Sequence, residues 1–376
     1  MTVISHSQLT SLAELRDDEE TAVSVYLDLD PAVTRTRSDL DSRIRSAVDR
    51  LHDAAPEDGD ARRRFQAAVE QLETFLTDND LRGEGHVHGA ALFAHGAETF
   101  AARPLWRSAG EDVHVGHRFA LRRLAAADSR TDEALLLIAG RELGRVALFR
   151  DGRLFQLLDA DEDVENRHSQ GGWAQSKLQR YTDQQAEQHI KHVVEIVERV
   201  HARLDRPPLV VAATEENASI VMDLLGQETA AALIGTLANA RDMGEAELLD
   251  ALAQQAHAHD ARREDELLER WAAQRGRDEA EELLDWALAA VSDARVETLL
   301  VAPGAEPDIF RCPQCGRLSD HAQVCPVDGS FIQGDPDGIE AVVAETILHG
   351  GLVWELLDVD RRDLDPVGGV GVIVRF

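Results

Sequence analysis

The amino-acid sequence predicts a three-domain α/β protein of the α+β kind, and three observations carry that prediction. The chain has 376 residues, more than one hydrophobic core usually serves. Short apolar runs of strand character alternate with longer charged, helical stretches, the pattern of layered α/β domains. Two breaks divide it: the small-residue stretch 125–130 (AAADSR) reads as a linker, and a charged helix over 245–276 is long enough to connect domains. The expected domains are 1–127, 131–255 and 256–376.

In the first domain, 22–29 (AVSVYLDL) alternates as a strand and stops at Asp30-Pro31. Helices are expected near 38–54 and 61–78, then strands at 89–94 and 113–121. The second domain opens with apolar runs at 133–140 and 144–149, and Asp151-Gly152 turns the chain into a third, 153–158; Asp-Gly is a strong hairpin signal. A polar passage, 159–172, leads into a long helix over 173–204, which Pro207 and Pro208 end, because proline cannot continue it. A buried strand at 209–213, a helix at 220–225 and a strand at 232–237 complete a βββαβα order with a mixed sheet. The third domain reads helix 278–292, strand 298–302, a cysteine module within 310–332, helix 339–349, and strands at 352–357 and 371–376.

Composition excludes several classes. Apolar content of 44% with 29% charged residues is globular, not disordered. No apolar run reaches the roughly 18 residues of a spanning helix, and the N-terminus lacks a basic-then-apolar leader; a soluble, cytoplasmic protein is expected, with no membrane partner. Seventy acidic against 39 basic residues give a net charge of −31, which reads as a solvated acidic surface and opposes binding to a polyanion as a whole. Screening over a Debye length of about 8 Å leaves room for a local basic patch. Phosphate-loop, GxSxG and HExxH motifs are all missing from the sequence, and no organic cofactor is expected. His257, His259 and Asp260 read as solvated side chains on a charged helix, and His86, His88 and His95 as a weak metal option near a strand.

The most informative passage is Gly171-Gly172-Trp173-Ala174-Gln175-Ser176-Lys177-Leu178-Gln179-Arg180-Tyr181. A polar loop of this length inside a domain points to function, paired glycines let backbone approach another surface closely, and the following helix start favours anions. At 3.6 residues per turn, Ile190, Val193, Val194, Val197 and Leu204 share a core face, while Lys177, Arg180, Gln184, Gln188 and Lys191 share another stripe, with His189 and His192 nearby. Only two of the 39 basic residues are lysine, and both lie on that stripe.

A Gly-Gly segment with a nearby Gln, carried on an α/β middle domain and followed by a long basic helix, resembles the central domain of the eukaryotic and archaeal class-one peptide chain release factors. It is more similar still to the bacterial, actinobacterial-type branch, with its release-factor-like peptidyl-tRNA hydrolases, and to hibernation factors of the Balon type and Pelota-type rescue factors. The third domain extends the resemblance through the strand 296–301, the cysteine insertion and the Gly-rich tail 368–376. The resemblance implies that Gly171, Gly172 and Gln175 form a catalytic loop entering the peptidyl transferase centre, where positioning and aimed donors hydrolyse the peptidyl-tRNA ester. It implies RNA contacts for Trp173, Lys177, Arg180, Gln184 and Lys191, with large-subunit rRNA, the A site and peptidyl-tRNA as partners. Two departures matter. Trp173 and Ala174 separate the glycines from the glutamine, as in the quality-control hydrolases, and residues 1–125 hold no codon-reading motif. Three functions stay open: hydrolysis in rescue or quality control, non-catalytic hibernation in the A site with EF-Tu as a delivery partner, and a stress protein that kept the fold without the ribosome.

Cys312-Pro313-Gln314-Cys315-Gly316 has zinc-knuckle spacing, and Cys325-Pro326-Val327-Asp328-Gly329 repeats its shape with Asp328 where a fourth cysteine would stand. Three cysteines in one short window suggest metal before disulfide in a reducing compartment. Tetrahedral zinc needs four ligands, so a structural zinc on Cys312, Cys315 and Cys325 takes Asp328 or His321 as its fourth. A knuckle that keeps its turns without metal, or a Cys312–Cys315 disulfide, are the other readings.

Overall fold

The structure is a computed structural model that describes residues 6–57, 59–79, 81, 87–141, 143–150, 152–159, 175–238, 240, 242–274 and 280–375. Its contacts divide the chain into two compact units, Met1–Arg130 with Arg263–Phe376, and Thr131–Arg262. Residues 1–130 and 263–376 thus fall into one unit, while 256–262, expected in the third domain, fall with the second.

The N-terminal part of the first unit runs α1 (His6–Glu14), β1 (Ala22–Asp28), α2 (Arg37–Asp53), α3 (Gly59–Asp78), β2 (Gly89–His95), β3 (Thr99–Leu105), β4 (Asp112–Gly116) and α4 (Arg122–Asp128). Thr36 and Asp39 start α2 with a reciprocal capping box, satisfying two N–H groups the first turn leaves free. The four strands form an antiparallel sheet ordered β3-β2-β1-β4. Alternation sorts β1 to two faces: Val23, Val25 and Leu27 pack with Leu40, Leu51, Phe65 and Leu72 of α2 and α3. Ala22 and Tyr26 join a second core that also holds Leu288, Val342, Val343 and Val372. Burial on both faces accounts for the apolar residues at positions of either parity, although the sequence alternates as a strand.

Two local expectations are corrected. Residues 125–130, read as a linker, belong largely to α4: alanine is the best helix former, and Leu124, Ala125 and Ala126 are buried. The strand expected over 113–121 stops at Gly116, while β3 was not anticipated because Pro104 interrupts it; β3 is an edge strand, where a missing N–H is tolerated.

The second unit contains β5 (Glu133–Ala139), β6 (Gly144–Arg150), β7 (Arg153–Asp159), α5 (Gln175–Arg203), β8 (Leu209–Ala212), α6 (Glu215–Leu224), α7 (Gln227–Ala231), β9 (Leu233–Leu237) and most of α8 (Glu245–Gln274). Its mixed sheet has the order β7-β6-β5-β8-β9, antiparallel from β7 to β5 and parallel from β5 to β9. Ile190, Val193, Val194 and Val197 of α5 pack on Leu135, Leu137, Val146 and Val211. That is the face the helical spacing predicts.

The C-terminal part of the first unit follows as α9 (Ala280–Ser292), β10 (Val296–Val301), β11 (Phe310–Arg311), β12 (Leu318–Ser319), β13 (Gln333–Gly334), α10 (Ile339–Leu348), β14 (Leu352–Glu355) and β15 (Val370–Val374). β10 is central between parallel β14 and antiparallel β15. The small sheet β12-β11-β13 carries the cysteine module. Among the described residues, no helix is long and apolar enough to cross a membrane.

Candidate functional site

Of the residues that sequence reasoning singles out around the diglycine, Gly171, Gly172 and Trp173 lie outside the described residues. The flanking elements are described. Edge strand β7 leads in and carries the exposed apolar side chains Phe155, Leu157 and Leu158. Gln175 is the first residue of α5. The side chains of Gln175, Lys177 and Arg180 are outside the described ones; Gln184, Gln188 and Lys191 are exposed further along the helix. His189, expected near that stripe, is buried at 2% exposure: one residue before Ile190, it turns toward the core.

The cysteine module is built from two matching turns. In each, the glycine after the knuckle has positive φ, 78° at Gly316 and 77° at Gly329, the left-handed region that glycine enters without penalty. Gly316 N–H donates to the Cys312 carbonyl and Gly329 N–H to that of Cys325, both at 3.0 Å. The loops bring Cys312, Cys315, Cys325 and Asp328 together, with ligand atoms all within 4.8 Å of one another. Cys315 Sγ is 3.5 Å from Cys325 Sγ, and Cys312 Sγ is 3.3 and 3.6 Å from the two Asp328 oxygens. A tetrahedron with Zn–S of about 2.3 Å and Zn–O of about 2.0 Å has edges of about 3.5–3.8 Å. The donor set and its spacing fit that ion. His321 instead bonds Asp320 at 2.5 Å, in a separate group with Asp285, so geometry favours Asp328 over His321 as the fourth ligand. Desolvation first, then hydrogen bonding with Asp328, Cys325 and Cys312, pushes the Cys315 thiol up to about 12. At Cys325 burial pulls upward too, but the N–H groups of Val327 and Asp328 and the neighbouring thiols hold it below the usual thiol range. Ser330, through its N–H and hydroxyl, holds Asp328 well below the usual carboxylate range.

The remaining sequence candidates scatter. His88 faces Asp30 at 3.4 Å and His95 faces Asp17 at 3.3 Å, so these two histidines serve different carboxylates; His86 is outside the described residues. Asp260, read as solvated, is fully buried and accepts the Thr131 N–H at 3.0 Å. Sequence reasoning also missed Glu340. Its carboxylate accepts the N–H groups of Leu121 at 2.7 Å and Arg122 at 3.1 Å, holding the start of α4. Burial pushes it up to about 7 against the pull of Arg122. Asp337 accepts the His117 N–H at 3.0 Å, and burial raises it as well. The partners are too distant in sequence for any local signal to mark them.

Residues 120–258 match the family model of bacterial archaeo-eukaryotic release factor family 10. No curated protein matches the chain. Similar solved structures include the archaeal translation termination factor aRF1, with 16% identity, TM-score 0.28, and coverage of 100% of this chain and 99% of that one. Pelota of Archaeoglobus fulgidus gives 12% identity, TM-score 0.34, and coverage of 100% and 94%. S. cerevisiae Dom34, described as a termination-like factor in RNA quality control that interacts with Hbs1, gives 11%, 0.39 and 74% of each chain. The family match spans all of β5 to β9 and the first part of α8, so over this stretch the chain is similar to the bacterial archaeo-eukaryotic release factors.

Proposed function

We propose that the protein associates with the ribosome in the cytoplasm and hydrolyses peptidyl-tRNA in the A site during rescue or quality control. The observation that carries this reading is the family match over residues 120–258, which includes the diglycine, Gln175 and α5. In this reading Gly171 and Gly172 give the segment close passage between RNA walls, and Gln175 orients the attacking water and leaving oxygen. Trp173, Lys177, Arg180, Gln184 and Lys191 contact large-subunit rRNA, the charged members by neutralising phosphate. Zinc on Cys312, Cys315, Cys325 and Asp328 has a structural role, fixing the two knuckles against each other.

The test is peptide release from stalled ribosomal complexes by the wild type and by Gln175→Ala. Hydrolysis predicts release that falls on the order of a hundredfold in the variant, the usual effect of losing one aimed polar group. A second reading, hibernation in the A site with EF-Tu as delivery partner, is favoured by one feature: Trp173 and Ala174 separate the glycines from Gln175. It predicts tight ribosome binding with no release by either protein. Failure to co-sediment with ribosomes at low salt would sink both.

A further inference from the structure

The geometry points to a nucleoside-binding cleft in the second unit, at the carboxyl ends of β5 and β8. After β5 the chain turns back into the antiparallel β6, whereas after β8 it enters α6. The two departures leave a crevice of about 620 Å³ between them. Crevices at such a switch point are where open α/β sheets bind ligands, and this volume lies in the range of small-molecule sites, about 300–1,000 Å³. The apolar lining comes from Ile138, Leu143, Ala213 and Ala240.

One largely buried polar residue lines this cleft. Asn217 is only 6% exposed and lines the crevice. Its backbone N–H bonds the Thr214 hydroxyl, but its carboxamide makes no hydrogen bond with the protein. The carboxamide opens onto the crevice, where water can meet it, so its donor and acceptor are available to a ligand that offers both. Beside it, the N–H groups of Glu215 and Glu216 in the first turn of α6 have no acceptor within the helix.

The acidic rim decides the ligand class. Glu215 and Glu216 line the same crevice, with Arg141 3.4 Å from Glu216. A phosphate is repelled there, whereas ribose hydroxyls can donate to these carboxylates, as they do to acidic residues in dinucleotide sites. An Asn carboxamide pairs in bidentate fashion with adenine N6 and N7. The fitting ligand is an adenosine-type nucleoside, its base on the apolar floor against Asn217 and its ribose at the rim.

Calorimetric titration of the full chain with adenosine, AMP, cytidine and a short oligoadenylate tests this. Adenosine is expected to bind saturably, AMP more weakly and cytidine not measurably. Asn217→Asp keeps the shape, loses the two donors and is expected to weaken adenosine by at least about fivefold. The oligoadenylate, with a phosphate on each internal ribose, is expected to bind more weakly than adenosine, and tighter binding would overturn the phosphate-excluding rim. Should Asn217→Asp fail to fold, the wild-type Asn217 side-chain amide resonances replace it: they are expected to shift on adenosine titration. No saturable binding by the wild type, an affinity unchanged in Asn217→Asp, or static amide resonances would overturn the assignment.

Discussion

Glu340 shows how one buried carboxyl sets a pH dependence. Its folded value is about 7 against an ordinary 4.5, so between those limits the folded protein keeps a proton that the unfolded chain has released. Stability is therefore highest below the lower limit and falls as pH rises through the interval. A shift of this size corresponds to about 3 kcal/mol at most. Glu340→Gln keeps an acceptor for the N–H groups of Leu121 and Arg122 and removes the ionisation. Urea unfolding midpoints of the variant should lose this downward trend, and an unchanged trend would refute the assignment. If the cysteine cluster holds the proposed zinc, Asp328→Ala should lower retained zinc and the melting temperature, and a chelator should lower the wild type to the same point. Equal zinc content in both proteins would remove Asp328 from the ligand set. The cluster itself was readable in the sequence, because each knuckle is formed within a few residues. The choice of Asp328 over His321 was not, since it depends on how one loop folds back on the other.

Helix α5 separates a packing face from a solvent face. Val197 is fully buried against the sheet, whereas Lys191 is exposed. Val197→Ala should cost about 2 kcal/mol in denaturant unfolding, from lost burial and the small cavity it leaves. Lys191→Glu should leave that midpoint within about 0.5 kcal/mol, the usual range for surface substitutions. In the proposed function it should also weaken co-sedimentation with ribosomes and flatten the salt dependence. Indifference of co-sedimentation to Lys191→Glu would count against the stripe as an RNA contact. The apolar period of α5 was legible because it repeats every turn. Helix α4 was not: its cap is Glu340, 219 residues away from Leu121.

For the whole molecule, the largest consequence lies in how the core is shared. Leu9, Phe93, Leu124, Leu288, Val343 and Val372 belong to one cluster, so residues 1–130 expressed alone would expose one face of their sheet. That fragment is expected to lack a cooperative melting transition, whereas residues 131–262, with their own sheet and core, should melt cooperatively in isolation. Circular dichroism melts of the two fragments provide the check, and a cooperative 1–130 fragment would contradict it. The three-domain expectation followed from breaks in composition along the chain. Sequence order carries no information about which distant segments share a core.

What the sequence by itself determined is everything with a short period or a short spacing: the alternation of β1, the apolar face of α5, the Asp151-Gly152 hairpin, the paired cysteine knuckles and the diglycine followed by a helix. These depend on backbone geometry within one or two turns, which neighbouring residues dictate. What only the tertiary structure decided is the pairing of groups far apart in the chain. It placed Glu340 at the start of α4 and Asp260 on Thr131, turned His189 inward, gathered both ends of the chain around one core and set Asn217 in the wall of a cleft. Burial and hydrogen-bond satisfaction fix these positions, and both are properties of the packed molecule rather than of any local stretch.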